Sequence, residues 1–590
     1  MGKVRTFGWI QDASNLGSLC DVVAALLPGT AQNEAVLRRV ERFVPNEALR
    51  ESLCALLVSG GPYPYALLKG TGAGCQLTEQ QNEELLDRTP EEARRIVRKG
   101  GRGNAACSGI TQASLTAQDG RPYQSDWAAE SYLRLAVTLG LLSYDEERDE
   151  VRVSASGVTV AQGGAAEVRR TMTAVLLTYP PAVRILELLG EGPATKFELG
   201  SRLGFQEAGF TSVDQGLFLA YCAACPPGER AGARNNFEGT ADKYARMICS
   251  LLQQLGLVEA APCDRQEVYG GRIYTMVLTR YSLTALGVKQ LRDCKGNSRH
   301  RRPPKSVPYT MLATKAPDRM FLRFRRAQLL RCLSGGRERT LAQIQAFLAE
   351  EQVRASEQTL QDDLEGLRRM GLEIVCRGGV YRLADQLINL TIPESHVAKP
   401  EISERKERLR GRLERVDHRY LQLIDLGVSG GRQGKDRDYE IVTAELLGRE
   451  LGLGGLHLGG ANRPDVIASW GRYGLIVDNK AYEAGFTISA HQKDEMVRYI
   501  DDNRFRDARR NPNCWWEQFP EEADTFFFLY VSSGFRGEYQ RALADIAYRT
   551  GTHGAAITSE NLLLLAERLK EGTLTTDDLP ALFRDEEIRF

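Results

Sequence analysis

His457 to Lys480 reads HLGGANRPDVIASWGRYGLIVDNK, and the rest of the chain is understood outward from it. It holds the pair Pro464-Asp465, a glycine-containing spacer, the apolar run Leu475-Ile476-Val477, then Asp478, one residue, and Lys480. The run has the length and composition of a buried strand. The two-residue alternation of a strand sends Asp478 and Lys480 to one face and Asn479 to the other. Two carboxylates and one ammonium thus converge. Asp465 and Asp478 are hard oxygen ligands suited to magnesium, which keeps several waters and takes further ligands from a substrate phosphate. Lys480 is placed to orient or deprotonate an attacking water, or to steady charge developing on phosphorus.

This is the PD-(D/E)xK pattern of metal-dependent nucleases. Alone it is a weak signal, because Pro-Asp is a common turn pair and D-x-K recurs by chance. The context supplies the rest. A chain of 590 residues is too long for one core and predicts about three to five domains. Its 42% apolar and 26% charged residues are those of a globular protein, which excludes fibrous and disordered classes. No apolar run is long enough to span a membrane and no secretory pattern opens the chain, so a cytoplasmic protein with no membrane partner is expected. The twelve cysteines are then expected to be reduced. Cys222 and Cys225 form a lone C-x-x-C on an apolar helical stretch, a pattern of core packing rather than of zinc.

Formal net charge is zero. The part before Val397 carries a surplus of about five basic residues and the part after it an equal acidic surplus, which suits a binding half and a cutting half. Within the first half one pattern recurs: a helix closing on a Leu-Gly or Met-Gly step, then β-patterned segments. It runs from Tyr132 to Gly157, from Met247 to Gly287 and from Leu364 to Leu383. Glycine ends each helix and a hairpin follows, the outline of a winged helix. Boundaries are expected near Gly163 and near the basic run KGNSRHRRPPK (Lys295 to Lys305), whose charges are either solvated or on phosphate. Leu390 to Glu401 is polar and proline-bearing and reads as a linker.

ARNNFEGTADKYARMI, Ala233 to Ile248, carries the base-reading chemistry. Arg234 opens a polar turn, Asn235 and Asn236 are able to pair with adenine, Glu238 accepts from cytosine, and Lys243 and Arg246 suit guanine edges or phosphates. A helix from Thr240 sets Asp242 and Arg246 four apart. A capped surface helix accounts for the same composition.

The stretches HLGGANRPD, YGLIVDNKAY, DEMVRYI, NPNCWWEQFP and FLYVSSGFRGEY resemble the cleavage domain of the FokI-like type IIS restriction endonucleases, and the resemblance runs from Arg5-Trp9 to the last residues. It implies a multidomain α+β protein: three winged-helix-like DNA-recognition subdomains (1–163, 164–299, 300–388), a linker (389–400), and an α/β nuclease domain (401–590) with a central mixed sheet. Gln11, Arg102, Gln118 and Trp127 align with DNA-contacting positions of the first subdomain, and a stretch from about Gly74 to Gly101 looks inserted. Asp12 stands where the family has an amide. A carboxylate cannot donate and is repelled by phosphate, so part of the family's GGATG site is in question. Glu440 and Glu445 match acidic family positions; each reads as a metal support through water or as a helix-surface charge.

In DEMVRYI, Asp494 and Arg498 stand four apart. Spacing favours a pair within the helix, whereas the family resemblance implies a pair across a dimer interface. The function implied is a magnesium-dependent type IIS endonuclease that binds a short asymmetric duplex site, dimerises on DNA through its cleavage domains, cuts both strands at a fixed distance, and has a companion DNA methyltransferase. Two alternatives stand beside it: a sequence-specific binding protein with an inactive nuclease, and a structure-guided repair or recombination nuclease.

Overall fold

The computed structural model describes residues 8–9, 11–44, 46–70, 88–92, 109–117, 126–206, 209–296, 302–394, 397–430 and 435–590. Three times before Leu390 the chain makes a helix, a left-handed glycine and a hairpin. Helix Asp126–Thr138 precedes Gly140 and strands Leu142–Asp145 and Glu150–Val153; helix Thr240–Gln254 precedes Gly256 and strands Val258–Tyr269 and Arg272–Leu283; helix Glu357–Met370 precedes Gly371 and strands Ile374–Arg377 and Val380–Leu383. At Gly371 the requirement is double: φ is 108°, and a β-carbon there would lie 2.0 Å from the Pro180 carbonyl oxygen. A two-residue strand (Tyr63–Pro64, Ala194–Thr195, Arg339–Thr340) pairs with the second strand of each hairpin. Each short strand leads directly into a helix, and Thr195 and Thr340 start theirs with reciprocal capping boxes. The middle hairpin is far longer than the others, and Gly270-Gly271 closes it with both residues at positive φ.

The basic run near the second boundary departs from the solvated or phosphate-facing expectation at its end. Lys305–Ser306 form a strand parallel to Leu387–Ile388, and the buried Lys305 ammonium donates to the Leu177 carbonyl at 3.2 Å. Strand pairing draws this lysine between modules, and burial pulls its pKa down. Residues 297–301 of the run lie outside the described residues. The expected linker is no free tether either, since Leu390, Ile392 and Val397 pack on the recognition core.

The third module is tied by charge. Asp363 accepts from Arg325 at 2.6 Å and from Arg326 at 2.9 Å, and all three are buried. The two guanidiniums hold the Asp363 carboxyl well below the usual range. Asp363→Ala removes the one carboxylate that both buried guanidiniums share and is expected to destabilise the protein by about 3–5 kcal/mol, read as a lowered urea midpoint.

The C-terminal domain is built on a six-stranded mixed sheet. Its strands, numbered within the sheet, lie in chain order: β1 (Leu456–His457), β2 (Val466–Trp470), β3 (Tyr473–Lys480), β4 (Thr525–Ser532), β5 (Gly554–Thr558) and β6 (Glu586–Ile588). The pairs from β1 to β3 are antiparallel and the rest parallel. Helices α1 (Lys435–Glu445), α2 (Ala490–Phe505), α3 (Tyr539–Thr550) and α4 (Ser559–Glu571) cover it.

Among the described residues two large apolar cores and one small cluster form, and the large cores do not divide at the linker. One extends from Trp9 to Leu383; the other fills the C-terminal domain and recruits Phe197, Leu217, Phe218, Phe237 and Tyr269 from the second module. Cys222 and Cys225 are buried, unpaired thiols in this second core. Among the described residues no single helix is long and apolar enough to cross a membrane.

Candidate active site and nucleic-acid interface

Antiparallel pairing of β2 with β3 sets Val466 opposite Val477, so the residues flanking them, Asp465 and Asp478, meet at one end of the sheet. The Asp465 and Asp478 carboxyls lie within hydrogen-bonding reach of each other. The Asn479 amide donates to Asp465 Oδ2 at 2.8 Å, and Lys480 Nζ donates to Asp478 Oδ1 at 2.9 Å. Alternation along β3 holds as expected: the Asn479 side chain turns to the other face and donates to Thr443 at 2.8 Å.

Burial raises Asp465 well above the usual carboxylate range, helped by the charges of Glu440 and Asp478. Burial raises Asp478 too, against the pull of Lys480. The two carboxylates raise the Lys480 pKa despite its own burial. Two neighbouring carboxyls that favour their protons are poorly compensated by one lysine, and a divalent cation relieves that repulsion, so the donor set fits such an ion. Among the described residues no group of three or more His, Cys, Asp or Glu side chains forms a metal cage.

The two supporting acids part ways. Glu440 pairs with His457 at 2.8 Å and adds charge to Asp465. Glu445 is not the helix-surface charge expected as one of its readings: it is buried, paired with Arg419 at 2.5 Å, and burial pushes its pKa up to about 7. Its helix is enclosed on both sides, so polarity in the sequence did not mark a solvent face.

The sequence reading missed Glu495 and Tyr499 on α2. Glu495 lies 3.9 Å from Lys480 Nζ and accepts from the Tyr499 hydroxyl at 3.1 Å. Their four-residue spacing on the helix after the D-x-K strand was the available signal. The same helix carries Asp494 and Arg498, which do not pair with each other. Asp494 binds Arg549 of α3 at 2.8 Å, and Arg498 lies 3.7 Å from Glu495. The Asp494 side chain is largely exposed and that of Arg498 partly so.

On the recognition side, Asn235 and Asn236 are exposed, at the end of a helix (Arg230–Asn236) rather than in the expected polar turn. Arg234 lies within that helix and donates to the Val277 carbonyl of the long hairpin at 2.8 Å. With Lys196 and Arg246, Arg234 and Asn235 line a cleft of about 640 Å³ against that hairpin. Glu238 is held inward, its carboxylate 2.6 Å from Lys196 and 2.7 Å from Arg246, with 3% of its side chain exposed. Asp242 does not pair with Arg246. It is buried and accepts from the Gly239 and Val213 amides and the Ser212 hydroxyl, fixing the helix start. Lys243 is partly exposed and Arg246 exposed. In the first module, Asp12, beside Gln11, accepts from the Trp127 indole at 2.7 Å, which spends that donor inside the protein. Arg102, Gln118 and all of the stretch 74–101 except 88–92 lie outside the described residues.

Comparison with known proteins agrees along the whole chain. Family descriptions match residues 5–163 (FokI recognition domain, subdomain 1), 169–298 (subdomain 2), 312–379 (FokI D3 domain) and 399–589 (FokI cleavage domain). The type II restriction enzyme FokI of Planomicrobium okeanokoites is 32% identical over 607 residues, covering 100% of both chains. The type II restriction enzyme StsI of Streptococcus sanguinis is 31% identical over 511 residues, 83% of this chain and 85% of the other. Solved structures of the endonuclease FokI alone and bound to DNA, each 32% identical with full coverage of both chains, superpose with TM-scores of 0.84 and 0.86. The chain therefore belongs to the FokI-like family of type IIS restriction enzymes, with that family's recognition subdomains and cleavage domain.

Proposed function

We propose that this protein binds a short asymmetric duplex DNA site, GGATG-like, and hydrolyses both strands at a fixed distance to one side. Three winged-helix modules (1–163, 164–299, 300–388) read the site, and after the segment 389–400 the domain 401–590 cuts. The observation that carries this reading is the convergence of Asp465, Asp478 and Lys480 at one sheet end, in a chain that also presents Asn235, Lys243 and Arg246 on a separate module. Asp465 and Asp478 would hold magnesium, which supplies Lewis-acid polarisation of the phosphate and a water of lowered pKa. The Asn479 amide keeps Asp465 aimed at that position. Lys480 orients the attacking water or neutralises charge on the phosphoryl oxygens. The enzyme works in the cytoplasm beside a companion DNA methyltransferase that protects the same site.

Incubation with plasmid DNA and magnesium, followed by sequencing of the ends, tests this reading against its alternatives. One offset from one motif is expected. Dispersed ends would favour a structure-guided nuclease, and no cutting an inactive binding protein.

Recognition gives its own expectation. Lys243→Ala is expected to weaken specific binding by about 1–3 kcal/mol while leaving non-specific binding nearly unchanged. Equal weakening on all sequences in a mobility-shift titration would make Lys243 a phosphate contact. Glu238→Ala, by freeing Lys196 and Arg246 together, is expected to cost specificity by at least as much.

A further inference from the structure

Lys480 forms ion pairs with two carboxylates, and they are not equivalent. Asp478 lies 2.9 Å away, yet its carboxylate is also one of the two proposed ligands of a divalent cation. A carboxylate shared with such a cation has less charge left for an ammonium, so its hold on Lys480 weakens when that hold matters most. Glu495 takes no part in that pair. It comes from α2, lies 3.9 Å from Lys480 Nζ, and is itself fixed.

The fixing is built into the fold. The Tyr499 hydroxyl, one turn along α2, donates to Glu495 Oε1 at 3.1 Å, and the Tyr499 ring is buried edge-on against Trp515. The start of the helix is anchored where it must be: Tyr530 on β4, in register with Asp478, donates its hydroxyl to the Gln492 carbonyl at 2.9 Å. The Glu495 carboxylate therefore holds its place relative to β3 without Lys480. A buried aromatic that supports one carboxylate oxygen and leaves the other facing the lysine is more than a surface ion pair needs.

We propose that Glu495, held by Tyr499, is a positioning residue that keeps the Lys480 ammonium aimed at the scissile phosphate while Asp478 is engaged elsewhere. This rests on the nuclease reading above. Misplacing a reacting group by about 1 Å costs on the order of 100-fold in rate, and that sets the expected scale.

The test is single-turnover cleavage of a duplex carrying the site, with magnesium, at rising enzyme concentration, alongside mobility-shift binding and thermal unfolding. Glu495→Ala is expected to lower the saturated rate about 100-fold. Glu495→Gln, which keeps the length and the acceptor oxygen, is expected to recover about tenfold of that loss, and Tyr499→Phe to lose several-fold, with site affinity and melting temperature unchanged. Four results would overturn the inference: wild-type rates in Glu495→Ala; a Gln variant no better than Ala; a deficit that disappears at high enzyme concentration, which would make Glu495 a contact between copies; or a parallel fall in melting temperature, which would make it structural. Failure of the wild-type protein itself to cut would instead remove the nuclease reading.

Discussion

Asp478→Ala is expected to abolish cleavage and leave sequence-specific binding intact. The carboxylate sits at the end of β3, 2.9 Å from Lys480, so its loss removes a proposed metal ligand and the lysine's nearest counter-ion together. Loss of an outer hydrogen-bond partner of a metal ligand typically costs about 10–100-fold, and loss of the ligand itself should exceed that, about a thousandfold or more. The cleft proposed to read bases is lined by Lys196, Arg234, Asn235 and Arg246 on another module, and the helix that begins at Lys196 carries its own cap. Cleavage and mobility-shift assays on one oligonucleotide decide the matter. Cutting near the wild-type rate would put the metal site elsewhere, and weakened site binding would mean the variant had misfolded.

Arg498→Ala and Asp494→Ala are expected to cut double-strand cleavage about tenfold or more at limiting enzyme and to spare site binding. One domain has one Asp465-Asp478-Lys480 centre, whereas antiparallel strands present their phosphates in opposite polarity. On the proposed reading, a second copy related by a two-fold axis would supply the second centre, and an isologous contact would pair Asp494 of each copy with Arg498 of the other. Within the chain the intrahelical pair is not made: Asp494 binds Arg549 instead, and Arg498 lies nearest Glu495. The Asp494-Arg549 ion pair is exposed, worth about 0.2–1 kcal/mol, and readily exchanged. Reversing Arg498 in one protein and Asp494 in another should leave each weak alone and the mixture partly active. A rate strictly first order in enzyme, with both single variants fully active, would exclude the dimer.

Local pattern made some of this legible and distance hid the rest. The strand alternation that sets Asp478 and Lys480 together is a property of three consecutive residues, and the helix-glycine-hairpin steps at Gly140, Gly256 and Gly371 are equally local. The resemblance to a family carried the order of the domains. What was not legible is contact across the chain. Glu238 meets Lys196 42 residues away, Asp494 meets Arg549 at 55, and Trp127 meets Asp12 at 115. No spacing rule reports such partners. Glu445 misled for another reason: acids on helices are usually solvated, and only packing on both sides of α1 made this one a core ion pair with Arg419.

The second core crosses from the middle module into the cleavage domain, and this bears on how the protein comes apart. Phe197, Phe218 and Phe237 share a core with the cleavage sheet, backed by the ion pairs Arg449-Asp214 and Arg463-Glu229. Severing the chain at 389–400 would therefore expose aromatic surface on the recognition fragment, which should need solubilising changes or should self-associate. In the intact protein, amide hydrogen exchange should group helix Gln215–Ala224 with the sheet of the cleavage domain rather than with helix Thr240–Gln254 of its own module.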